Sequence, residues 1–151
     1  MDDEDRALLR LEPFIGRWAM EATFPGAERT GPAGLSTFEW ILEGEFLLQR
    51  TEFSVTGPPA GVMIVGSDPE GANFTQHYFD SRGVARLYSM TFEEGIWTLQ
   101  RDTQDFTSLS FRQRFIGSFS DDETRIDGRW EISHDGANWE HDFELTYTRT
   151  K

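Results

Sequence analysis

The chain has no cysteine, only three histidines, and about half as many basic as acidic residues, 14 against 27. Each shortage removes a class of chemistry. Without cysteine there is no disulfide framework, no thiolate nucleophile and no cysteine metal site, which suits a reducing compartment. No three-histidine spacing points to zinc. A formal charge of −13 opposes phosphate backbones and anionic membrane surfaces, so neither nucleic acid nor a membrane is an expected partner. No stretch approaches the roughly 20 apolar residues of a membrane span, and the acidic start MDDEDRALL lacks the basic and apolar regions of a secretory segment. A cytoplasmic protein is expected.

Aromatic residues, by contrast, are plentiful: 13 Phe, 5 Trp and 3 Tyr in 151 residues. A chain of this length supports one domain, residues 1–151, with a worthwhile core. Its most informative stretch is Arg6 to Trp18, where a short helix pattern with Leu8, Leu9, Leu11 and Phe14 on one side runs into a Gly-x-Trp strand start. Pro13 limits that helix to about two turns. From Gly16 the apolar period becomes two, with Trp18, Met20, Ala22 and Phe24 in phase, until the turn-rich stretch from Pro25 to Gly34.

The segments STFEWILEG and EFLLQRTEF, turning at Glu43 and Gly44, predict a hairpin. Further strands are predicted over Gly61 to Asp68 and Asn73 to Asp80, separated by Pro69, Glu70 and Gly71. VARLYSMTF and IWTLQRD follow, divided by Glu94 and Gly95, and then Leu109 to Phe119, Thr124 to Asp135 and Asn138 to Arg149. Ten short strands without an intervening long helix favour an antiparallel meander over an α/β layer fold, and closing it removes the exposed edges. The expected fold is all-β: a ten-stranded antiparallel barrel with a short N-terminal helix at one end.

Gly16-x-Trp18 after a short helix, followed by this meander, resembles the calycin superfamily, which includes the lipocalin and fatty-acid-binding protein barrels. FEWILEG, GSDPEG, HYFDSRGVARLY and GRWEISHDGANWEHDFELTY more closely resemble an uncharacterised bacterial family of calycin-like proteins, which has no activity to carry over. The superfamily resemblance implies an apolar ligand inside the barrel. It also implies that Trp18 packs across the closed end, with Arg149 covering its indole. The chain is distantly similar to the nitrobindins too, which bind heme through a histidine near the C-terminus. Here GRWAMEA stands in place of their glycine-rich Gly-x-Trp-x-Gly-x-Gly opening, and His141 has no secure place in the ligand's register. No cofactor is therefore expected, with heme the lesser alternative.

Period two defines two strand faces but not which one points inward. Polar residues interleaved with aromatic ones provide the candidate ligand-binding set: Trp40, Arg86, Tyr88, Gln113 and His141. Tyr and Gln can hold a head group by hydrogen bonds, and an inward Arg can pair with a carboxylate or phosphate. His141 shares sequence parity with Trp139, Phe143, Leu145 and Tyr147. The bland reading is that Arg86 sits outside balancing carboxylates and that His141 is a hydrogen-bonded wall residue.

The leading functional expectation is binding of a small hydrophobic or amphipathic molecule for storage, transport or sensing. Homodimerisation through the exterior sheet is a further expectation, because apolar residues occupy both parities in several strands. One competing class is an enzyme using His141 or an inward carboxylate among Glu39, Glu52, Glu131 and Glu144. No nucleophile with a supporting context accompanies them, and catalytic residues remain unassigned. The other is a structural or interaction module without a small ligand.

Overall fold

Alternating burial along most strands and a sequential run of antiparallel ladders build a closed barrel in the computed structural model, which describes residues 7–23, 34–53, 59–68, 73–101 and 111–150. The strands are β1 (Gly16–Thr23), β2 (Gly34–Ile41), β3 (Phe46–Phe53), β4 (Gly61–Ser67), β5 (Phe74–Asp80), β6 (Ala85–Glu93), β7 (Ile96–Arg101), β8 (Arg112–Phe119), β9 (Arg125–Ser133) and β10 (Glu140–Arg149). Each pairs with its neighbours in sequence, and β1 closes the ring against β10, with Trp18 opposite Arg149 and Ala22 opposite Leu145. The expected all-β ten-stranded barrel with a helix at one end is the observed architecture. The turn formers from Pro25 to Ala33 and from Pro69 to Gly71, together with Leu109, lie outside the described residues.

The N-terminal helix, Ala7–Phe14, is a 3-10 helix. Three residues per turn place Leu8, Leu11 and Phe14 in one row, and these three are the buried ones. Leu9, expected on the same side, is 38% exposed because the tighter winding rotates it outward. Pro13 near its end has no N–H to donate, and Ile15 closes the last turn by donating to the Glu12 carbonyl.

This helix delivers Phe14 into the barrel end as a plug. Its ring centroid lies 5.4 Å from Phe38, 5.0 Å from Phe92, 4.9 Å from Trp97 and 5.0 Å from Phe119, mostly edge to face. Trp18 packs beside Phe119 and donates its indole N–H to the Phe14 carbonyl at 2.9 Å. Arg149 covers the Trp18 ring with its guanidinium carbon 4.1 Å from the centroid, while donating to the carbonyls of Ile15 and Pro13. The closed end is thus tied to both the first and the last strand.

Candidate functional site

Away from this plug the interior opens into a cavity of about 460 Å³. That is within the range of pockets that enclose small organic ligands. Strand alternation decides its walls. In β3 the inward residues are Leu47, Gln49, Thr51 and Phe53, and the last three line the cavity. Trp97 and Leu99 from β7, Phe115 from β8 and Leu145 and Tyr147 from β10 add apolar wall on the side toward the plug. Phe115 has room there because Gly128 faces it: a Cβ on Gly128 would fall 2.5 Å from the Phe115 ring.

A polar belt crosses this apolar interior. Gln113 Oε1 accepts from both Arg86 Nη1 and Tyr88 Oη, each at 3.1 Å. Gln76, 2% exposed, sits opposite Tyr88 in the β5–β6 ladder. On the far wall Ser36 Oγ and Thr51 Oγ1 share a hydrogen bond at 2.9 Å, and Gln49 donates to Ser36. Burial pushes the Tyr147 hydroxyl well above its ordinary pKa, a shift only partly opposed by its hydrogen bond with Gln49.

At the mouth, Tyr78 donates to Asp80 at 2.7 Å, and Arg82 grips the same carboxylate through Nε and Nη2. Burial raises the Tyr78 pKa and the Asp80 hydrogen bond raises it further. Burial raises the Asp80 pKa as well, but the hydrogen bonds from Arg82 and Tyr78 outweigh it and hold the carboxyl at about 2. Asp80 also accepts from the backbone N–H of Arg82 and Val84, which fixes the turn into β6.

Of the five residues singled out from the sequence, Arg86, Tyr88 and Gln113 come together on the cavity wall. The other two lie elsewhere. Trp40 has the inward parity of Ser36 and Phe38, but near the helix-capped end, where it packs against the core and donates its indole N–H to Glu12 at 3.0 Å. His141 is exposed on the outer face opposite Glu131. A β-bulge between His141 and Phe143 inserts Asp142, so Phe143 faces in beside Trp130 while His141 faces out. The carboxylates of Glu39, Glu52 and Glu144 are exposed, and Glu131 is held on the outside by Arg114 at 3.0 Å.

The sequence reading left out Gln49, Thr51, Trp130 and Phe143. The usable signal for Gln49 and Thr51 was their shared parity with Leu47 and Phe53. Among the described residues, no group of three His, Asp or Glu side chains is placed to hold a metal ion. No helix among them is long and apolar enough to cross a membrane.

No protein-family model matches the sequence, and no curated protein does. Among solved structures the chain is similar to Rv2717c from M. tuberculosis, with 14% identity and a TM-score of 0.66 over 96% of this chain and 98% of that one. A DUF3598-family protein of unknown function from Nostoc punctiforme aligns over 99% of this chain and 100% of its own, at 6% identity and a TM-score of 0.29. The first likeness is one of fold alone; the second is too distant in shape to carry an argument.

Proposed function

We propose that this protein binds a small, mostly apolar molecule inside the barrel, as a storage, transport or sensing module. The observation that carries this reading is the cavity of about 460 Å³ between the aromatic plug and the Tyr78–Asp80–Arg82 mouth, with extensive apolar wall and a few convergent polar groups. Apolar area supplies affinity, and the Arg86–Gln113–Tyr88 group orients the guest. The Trp18–Arg149 stack at the closed end and the likeness in fold to Rv2717c support a calycin-like affiliation. The absence of cysteine supports a cytoplasmic setting.

Native mass spectrometry of gently purified protein tests the binding reading. A retained small molecule, or one-to-one uptake of an added apolar fluorophore, is the expected result. A bare mass together with no uptake of apolar probes overturns it.

A second reading, homodimerisation, is favoured by the outer surface of β3 to β6. There Leu48, Ile64, His77 and Leu87 form one row of cross-strand partners, flanked by Phe46 over Gly66 and by Val62 with Phe79. Phe46, Phe79 and Leu87 are 38%, 41% and 36% exposed, and a two-fold axis would lay this strip on its own copy.

A further inference from the structure

Gln76 in β5 has the inward parity of Phe74 and Tyr78, which puts its side chain on the cavity wall. It is buried, and among the described residues its carboxamide has no hydrogen-bond partner. Arg86 Nε and Trp97 Nε1 also lack partners, but those atoms are sealed within the wall. The amide atoms of Gln76 are not sealed, and the surface they keep belongs to the cavity.

The protein does not itself supply what this amide needs. Across the ladders Gln76 faces Val65 on one side and Tyr88 on the other. Val65 is apolar, and the Tyr88 hydroxyl donates to Gln113 Oε1, which also accepts from Arg86 Nη1. The Gln113 oxygen is therefore filled from within the protein, whereas Gln76 offers both its donor and its acceptor to whatever occupies the cavity. Leaving such a group unpaired in an apolar interior is costly, so the occupant that answers both atoms is favoured.

A carboxamide presents its N–H and its oxygen side by side. The complementary group is another amide with N–H and C=O on the same edge, an arrangement fixed in a lactam ring. An open-chain secondary amide is trans and turns the two to opposite edges. A carboxylate or an ester has acceptors alone and sets lone pairs against Gln76 Oε1, while an ammonium has donors alone and meets the like charge of Arg86. The neighbouring wall adds a preference of shape. Tyr88 lies 6.3 Å from Tyr78 and 5.8 Å from Trp130, both edge to face, so ring surfaces flank the amide.

We infer that the guest is a planar aromatic lactam, its N–H donating to Gln76 Oε1 and its carbonyl accepting from Gln76 Nε2, with its rings against the wall of Tyr78, Tyr88 and Trp130. This rests on the ligand-binding reading of the cavity and names the chemical class that the cavity selects. Two aligned hydrogen bonds in a low-dielectric interior set the orientation, and the ring area supplies affinity.

The test compares 2-quinolinone, its N-methyl derivative and naphthalene, which carry donor and acceptor, acceptor alone, and neither. Each is titrated into the full-length protein against a bound apolar fluorophore. The lactam is expected to displace it at a concentration at least about tenfold lower than either of the others. Gln76→Leu, an apolar replacement of similar size, is expected to abolish that preference while keeping naphthalene affinity. Equal displacement by the three probes, the result if Gln76 merely holds a water molecule, overturns the lactam assignment and leaves the cavity's binding role standing. A preference that survives Gln76→Leu does the same. Failure of the fluorophore and of all three probes to bind overturns the binding role as well. A second measurement needs no variant: the side-chain amide proton resonances of Gln76 are expected to move downfield with 2-quinolinone and not with naphthalene. Resonances that respond alike to both contradict the proposal.

Discussion

Arg149 stacks on Trp18 at 4.1 Å while its two terminal nitrogens donate to the carbonyls of Pro13 and Ile15, so one side chain on the last strand holds the helix and the first strand together. Arg149→Met keeps length but removes the fork and leaves those carbonyls without their donors. A loss of about 2–4 kcal/mol in urea unfolding is expected, and Arg149→Lys should recover only part of it because an ammonium cannot reach both carbonyls in one plane. Gly16 is part of the same arrangement: its φ is 132°, and a Cβ there would lie 2.7 Å from Arg149 Nη1. Gly16→Ala should therefore destabilise in the same direction.

The mouth predicts an acid limb in stability. Asp80 titrates at about 2 in the folded protein against an ordinary 3.8, so its contribution is fully present above pH 3.8 and is lost as pH falls toward 2. Because Arg82 is half in solvent, that contribution is at most about 1–2 kcal/mol. Thermal melts of Asp80→Asn should show lower stability than the native protein at pH 6 and a smaller difference at pH 2.5. A difference that stays constant between the two pH values contradicts the assignment.

The bulge at Asp142 separates two aromatic-strand neighbours into opposite fates. His141→Ala should leave probe affinity unchanged and stability within about 0.5 kcal/mol, since the imidazole is exposed on the outer face. Phe143→Ala, two residues on, removes cavity wall and should weaken binding of an apolar probe several-fold. Titrations of the two variants side by side decide this, and weakened binding by His141→Ala would contradict the placement.

Alternation made much of the barrel readable from the residues, and the same alternation explains where reading stopped. Arg86 and Tyr88 keep period two within β6, so their common face follows from spacing, whereas the inward direction of that face and the meeting with Gln113 of β8 come from the closed barrel. His141 does not keep the period, because one inserted residue reverses the parity of β10 and no turn former marks the bulge. Trp40 shows a different limit: parity gives the face of a strand but not the height along the barrel, and its height is set by the helix that brings Glu12 to it. The helix itself was visible as a row of leucines, yet its winding was not, and Leu9 is the residue that distinguishes 3-10 from α.

The outer strip gives a prediction about assembly. Sedimentation of the native protein should show a dimer at high concentration, and Phe79→Lys combined with Leu87→Lys should return it to a monomer with an unchanged melting profile, both side chains being more than a third exposed. A native protein that stays monomeric at all concentrations rules out this use of the strip.

Every ladder but one joins strands that follow each other in the chain; the exception is the seam between β1 and β10. Local hairpins can zip in order of synthesis, but the seam must draw together the two most distant strands and waits on loop-closure entropy. Since Arg149 lies on β10, a nascent chain that has not yet made this strand lacks the clasp that seats Phe14 among its aromatic neighbours. During that interval the plug residues are exposed together with two unpaired strand edges, the moment at which such a chain is most open to mispairing with another copy of itself.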